Sequence, residues 1–339
     1  MIQSMAPVAG SATTGLGGGM QQIGRRLRAS ILGIRSAEAD FKSRGFFAGD
    51  PFTRSHLEAA GRAFLLGYNA SLAAARVDDL RSRLQETGSH LRGFAYEGAA
   101  MGLTLVDLLS LGGRYRWRQL LDGPGDHYFY LIFVGAGWAW ARIPLIRVLR
   151  ARRALDPLYG WLAVDGFGFH NGYFTSGRNM VPPRHRLNGY ELRAFDQGFG
   201  RSLWFVHCGD ANRIGNAIAR FTFDRRADLW SGVGLAAAYA GPLETDAAAT
   251  LRAWSEPHHA HLALGACFGA AARARSGHVP RATDVACRAL TGLDTMRAAA
   301  LAVQVLPRGT EAQSDSAYEE WRTRIRLRLM GNARVELPA

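Results

Sequence analysis

The chain has 339 residues, of which 41 are basic and 28 acidic, giving a net charge of +13. Its 48% hydrophobic content supports a sizeable core and excludes wholesale disorder. Three cysteines, Cys208, Cys267 and Cys287, exclude a disulfide scaffold and fit a reducing, cytoplasmic setting.

Residues 1–27 read as a flexible tail. The glycines from Gly15 to Gly19, interrupted only by Leu16, disfavour a helix, and no basic segment precedes them as a secretory signal requires. Lys42 is the one lysine; every other basic residue is arginine, a bias of the kind GC-rich codon usage produces. The arginines gather only at Arg25–Arg28, Arg147–Arg153 and Arg322–Arg328. These read as solvated helix faces, with an acidic partner or a membrane surface as the alternative. No nucleic-acid-binding motif accompanies them, so nucleic acid is not an expected partner.

Leu57, Ala60, Phe64, Leu65 and Tyr68 fall on one face at helical spacing, which predicts a helix over 57–76. The most apolar stretch, 128–141, spans fourteen residues before Arg142. A membrane span needs about 20, so a buried core helix is expected, with in-plane membrane contact through Trp138 and Trp140 as the alternative. Residues 283–303 predict a further helix capped by Thr283. The C-terminal part, 306–339, predicts a charged helix over 317–330 and a polar tail.

Gly98, Gly135, Gly172 and Gly209 are each 37 residues apart, and Gly61 lies 37 before the first. Three positions before these four glycines stand Ala95, Ile132, Phe169 and Val206; two before stand Tyr96, Phe133, His170 and His207. Repetition at this length marks stacked supersecondary units. We therefore expect an all-α fold: a helical-hairpin repeat array with a period of about 37 residues, an α-solenoid or a closed α-toroid, occupying 28–305 as one domain. Each unit is expected to be an antiparallel helix pair. Glycine at the crossings lets backbones approach while Phe64, Trp138, Phe174 and Trp204 fill the sides.

Polar groups crowd into 165–174, where Asp165, His170, Asn171 and Tyr173 are the chemistry-capable groups, His170 as a general acid or base and Tyr173 as a proton donor. The structural alternative is a tight helix start in which His and Asn satisfy backbone groups. His207 stands at the repeat position of His170 and joins the candidate catalytic set; a ladder of His207, Asp210 and Arg213 is its structural alternative. His207 and Cys208 are neighbours that point apart on a helix, which argues against a nucleophile pair. Phe167, Phe169, Trp204, Trp230, Arg201 and Glu97 are candidate substrate contacts. His258 and His261 lie one turn apart, but nothing at fixed spacing completes a metal shell, so no metal is expected. Common hydrolase and zinc-protease motifs are absent from the sequence.

The stretches GFAYEGAAMG (93–102), DGFGFHNGYF (165–174), AFDQGFGRSLWF (194–205) and FDRRADLWSGVGLAAAYAG (223–241) resemble the UnbL-type proteins of enediyne polyketide gene clusters, a domain family of unknown function. That resemblance implies a part in maturing an enediyne or related polyene core, beside an iterative polyketide synthase, an UnbV-type protein and a membrane protein. It carries over no residue-level mechanism and leaves open any cofactor and whether the chain is an enzyme. The expected function is accessory: an aromatic groove binding a long apolar polyene. A non-catalytic helical scaffold for partner proteins or a membrane component is the alternative.

Overall fold

A computed structural model describes residues 14–110, 115–123, 125–142, 155–175, 187 and 189–335. The described residues form α-helices and short 3-10 turns, with no strand. The long helices are α1 (Thr14–Leu32), α3 (Pro51–Ala73), α5 (Ser89–Leu109), α7 (Phe129–Trp140), α8 (Gly160–Thr175), α9 (Gly189–Val206), α11 (Phe223–Tyr239), α13 (His259–Arg275) and α16 (Ala317–Val335). Shorter ones are α2 (Phe41–Arg44), α4 (Asp79–Gln85), α6 (Arg116–Leu121), α10 (Ala211–Ala219), α12 (Thr245–Trp254), α14 (Arg281–Thr291) and α15 (Thr295–Gln304).

Helix boundaries follow local chemistry. Asp50 caps α3, its carboxylate accepting from Thr53 N at 2.7 Å, with Pro51 preset for the first turn. Asp210 and Asp294 cap α10 and α15 in the same way. The single helix expected over 283–303 is two: Gly292, at φ +74°, ends α14 in the left-handed region, and Asp294 starts α15. The Gly-rich segment expected as part of a loose tail is helical in α1 from Thr14. It is tied down further on, where the Arg28 guanidinium donates to Leu72 O at 2.6 and 2.8 Å. The apolar stretch 128–141 is a buried core helix, α7. No described helix is long and apolar enough to cross a membrane. Arg147–Arg153 lies outside the described residues.

The long helices α3, α5, α7, α8, α9, α11 and α13 pack each on the next. Neighbours run in the same direction, not antiparallel. Along α8, Gly168 and then Gly172 meet Phe195 and then Ser202 of α9; along α11, Ser231 and then Ala238 meet Gly265 and Gly269 of α13. The short helices α4, α10 and α12 lie in connections that carry the chain back to the next start. Arg273, at the end of α13, donates to His90 O at 2.8 Å and to Tyr239 O, joining the start of α5 to the ends of α11 and α13.

What lets the helices approach is a Gly-x-Gly pair. Two residues along a helix turn through about 200°, so such glycines thin opposite flanks. In α7 a Cβ on Gly135 would fall 2.1 Å from Glu97 O of the preceding helix, and one on Gly137 1.8 Å from Ala163 O of the following one. Gly166 and Gly168 do the same in α8, Gly198 and Gly200 in α9, and Gly232 and Gly234 in α11. The first glycine of each helix to face the preceding one is Gly98, Gly135, Gly166, Gly198, Gly232 or Gly265, so the spacing varies between 31 and 37. The constant interval of 37 is thereby corrected. Gly172 faces the Ser202 hydroxyl, and Gly209 lies past the end of α9 at φ +71°, a turn position rather than a crossing.

Helix α16 is not peripheral. Tyr318, Trp321 and Arg322 are buried against α13, α9 and the start of α11. The Arg322 guanidinium donates to Asp228 Oδ1 at 2.6 Å and to Glu319 Oε2 at 3.2 Å. At the opposite ends of the long helices, residues 34–48 fold across: Phe47 N donates to Val206 O and Arg44 to Tyr173 O, both at 3.0 Å.

Candidate functional site

Take the glycine that faces the preceding helix as position zero. The residue three places on is then Met101, Trp138, Phe169, Arg201, Leu235 or Phe268, one turn past the crossing. All six line one of two cavities enclosed by the long helices. The residue just before each glycine is Glu97, Val134, Asp165, Gln197, Ser231 or Leu264. Four of these six are polar, and they are joined in the buried cluster described below.

The upper cavity is a narrow slot with a volume of about 50 Å³. Its walls come from α3, α5, α7, α8, α9 and α11, with Ile34, Glu38 and Ala39 across one mouth. Aromatic rings dominate: Phe64 and Phe169 flank Trp138 at centroid distances of 4.4 and 4.9 Å, and Tyr173 stacks near Phe169 at 5.8 Å. A second apolar cavity, of about 40 Å³, lies toward α16, lined by Tyr130, Leu162, Phe268 and Trp321 among others. Arg201, Leu235 and Tyr239 touch both spaces and form the septum between them.

The septum is a buried ionic cluster. Arg201 Nη1 donates to Asp165 Oδ1, and its Nη2 lies 3.7 Å from Glu97 Oε1. Trp138 Nε1 donates to the same Glu97 oxygen at 3.0 Å. Gln197 donates to Asp165 Oδ2 at 2.9 Å and to the Tyr318 hydroxyl at 3.0 Å, and Ser231 donates to Gln197 at 3.4 Å. One guanidinium thus serves two carboxylates. Burial pushes the Glu97 carboxyl up to about 7, against the pull of Arg201 and the Trp138 hydrogen bond. For Arg201 burial alone would lower the pKa, but Asp165 and Glu97 raise it further, so it stays a cation. The Tyr239 hydroxyl, pushed up to about 12 by burial, is buried without a hydrogen-bond partner among the described residues.

Of the candidates read from sequence, Glu97, Phe169, Tyr173 and Arg201 come together on the upper cavity wall. His170 packs edge-on against Trp138 and beside Phe174, its Nε2 unpartnered; burial, then Arg142 and Arg44, push it down to about 3, leaving it neutral. The Asn171 amide donates to Phe167 O at 2.7 Å, and the Phe167 ring packs on Phe195. His207 lies just past the end of α9, with burial pushing it down to about 4. Trp204 is buried and donates to Gly241 O at 3.3 Å; Trp230 is buried in α11, and neither is among the cavity-lining residues. Trp138, Phe64 and Tyr239 were not among the substrate contacts expected from sequence, nor were Asp165 and Gln197. The signal that finds most of them is the Gly-x-Gly register, since the position before and the position three after its first glycine face inward.

No group of three or more His, Cys, Asp or Glu side chains among the described residues is arranged to hold a metal ion. No curated protein and no solved structure matches the chain. The model of the family described as protein of unknown function (DUF1702) matches residues 23–329, nearly the whole length, and the chain belongs to that family.

Proposed function

We propose that the chain binds one elongated, apolar, unsaturated molecule in the upper cavity and serves as an accessory protein in maturing an enediyne or related polyene polyketide core. The observation that carries this reading is the cavity itself: aromatic and aliphatic walls from six helices, with one ionic cluster at the floor. Such a lining suits an apolar chain with few polar atoms. The four stretches that resemble UnbL-type proteins lie on α5, α8, α9 and α11, whose inward residues form these walls. We further read the parallel long helices and their short returns as a helical repeat wound about this cavity. An UnbV-type protein and a membrane protein are the proposed partners, with the chain cytoplasmic and reaching a membrane through them.

The narrow slot requires wall side chains to move when an occupant enters. The test is titration of purified protein with a linear conjugated polyene while tryptophan emission is followed, since Trp138 sits in the wall. Saturable quenching, lost when Ala60→Phe fills the slot, is the expected result. Absence of retention by the unmodified protein counts against the proposal. The scaffold alternative loses one of its arginine clusters: Arg322 is buried on Asp228, Arg324 pairs with Glu311 and Arg326 with Glu319.

A further inference from the structure

Glu97 and the Tyr239 hydroxyl lie along one face of α5. A Cβ on Gly93 would fall 1.9 Å from the Tyr239 oxygen, so the hydroxyl occupies the place of a side chain at position 93. Gly93 and Glu97 are four residues apart, one turn on the same face, which puts the hydroxyl about 6 Å from the root of the Glu97 side chain. Both residues line the upper cavity. The Tyr239 hydroxyl is a buried donor with no partner among the described residues, and such groups in folded proteins are few. Glu97 Oε1 is committed to Trp138 and Arg201, while Oε2 accepts no hydrogen bond from a described residue. A carboxylate oxygen and a hydroxyl that have no hydrogen-bond partner among the described residues, on two side chains lining one apolar slot, match a ligand with a carbonyl oxygen and an acidic C–H a few bonds away.

We propose that Glu97 and Tyr239 form a proton-transfer site that shifts a double bond in a long-chain unsaturated ketone or thioester held in the upper cavity, a reading that rests on the cavity binding an apolar chain. The Tyr239 hydroxyl donates to the carbonyl oxygen. Glu97 Oε2, as carboxylate, takes a proton from the carbon between the carbonyl and the double bond; that C–H bond breaks, an O–H bond forms, and the electron pair spreads into a dienolate. Glu97 then returns the proton to the far alkene carbon, making a C–H bond there and leaving the double bond conjugated with the carbonyl. Atoms and electrons balance with no oxidant or cofactor. Base and acid roles alternate on one carboxyl, which requires a pKa near the working pH, and Glu97 lies at about 7. The charged and titratable groups facing it are Arg201 and Asp165 of the septum and the Tyr239 hydroxyl, which is held protonated at about 12. The hydroxyl donates in a low-dielectric space, where oxyanion stabilisation is strongest.

The experiment uses the full chain and a straight long-chain methyl ketone whose double bond stands one carbon out of conjugation. Binding is read by tryptophan quenching, and the shift by the rise of enone absorbance. The unmodified protein is expected to bind and convert the probe, with a rate that rises with pH through about 7. Glu97→Gln keeps the Trp138 hydrogen bond and should still bind, with conversion lowered on the order of 100-fold or more. Tyr239→Phe should bind and lose on the order of 100-fold. A probe that binds without conversion, or a Glu97→Gln protein that converts as fast as the parent, overturns the proton-transfer site alone. A probe that fails to bind overturns the cavity reading and this one with it.

Discussion

Replacing Gly198 by alanine tests the packing that builds the site. The added Cβ would fall 1.7 Å from Asp165 O, 2.6 Å from Asp165 C and 2.8 Å from Phe169 N, all backbone atoms of α8. Ordinary contact begins near 3.4 Å, so α8 and α9 must part by on the order of 1.5 Å, and no side-chain rotation relieves the clash. Alanine returns about 1 kcal/mol of helix propensity. Overpacking costs about 1–3 kcal/mol, and a clash with backbone belongs at the upper end. Parting the helices also draws Asp165 from Arg201, and a buried pair that loses a partner costs about 3–5 kcal/mol. A partial loss of that pair puts the expected net destabilisation at about 2–4 kcal/mol. Urea unfolding followed by far-UV circular dichroism reads it as a lower midpoint at an unchanged slope. Two controls grade the effect. Gly24→Ala meets nothing within 4 Å and should be neutral or gain up to about 1 kcal/mol. Gly172→Ala meets the Ser202 hydroxyl at 1.9 Å and its Cβ at 2.9 Å, so rotation of that hydroxyl should hold the loss below that of Gly198→Ala. A Gly198→Ala midpoint equal to the parent's would refute close backbone contact as what holds α8 to α9.

Glu97 is expected to make stability depend on pH. Its folded pKa is raised from 4.5 to about 7, so the protonated form favours the fold; its contribution is complete below about 4.5 and lost as pH rises through about 7. Glu97→Gln should therefore match the parent at pH near 4 and exceed it by on the order of 3 kcal/mol at pH near 8; a less stable Gln variant at the higher pH would reverse the sign. Arg322→Ala leaves Asp228 and Glu319 short of a buried partner and should cost about 3–5 kcal/mol in thermal unfolding. Arg322→Met, which removes the charge while keeping the bulk, serves as its comparison. Gly209→Ala places a Cβ at φ +71° and should cost about 1–2 kcal/mol by the same urea assay, without weakening polyene retention, since Gly209 is not among the cavity-lining residues.

The sequence alone determined the helical class and several helices, because apolar spacing, caps and small residues act over one or two turns. It also placed Glu97, Phe169, Tyr173 and Arg201 among the residues of interest, since polar and aromatic groups crowd around glycine there. It did not determine which glycines mark crossings. Gly98 and Gly135 do; Gly172 and Gly209 keep the interval of 37 and serve other ends, a contact with a serine hydroxyl and a left-handed turn. The connections between long helices differ in length, so a fixed interval slips, whereas the Gly-x-Gly spacing holds because it comes from the 3.6-residue turn of each helix. Only tertiary structure decided that Glu97 of α5, Trp138 of α7, Asp165 of α8 and Arg201 of α9 meet as one septum. Those residues are up to 104 positions apart. Their meeting depends on how close each backbone comes to the next, a distance set by both partners at every crossing and by neither segment on its own.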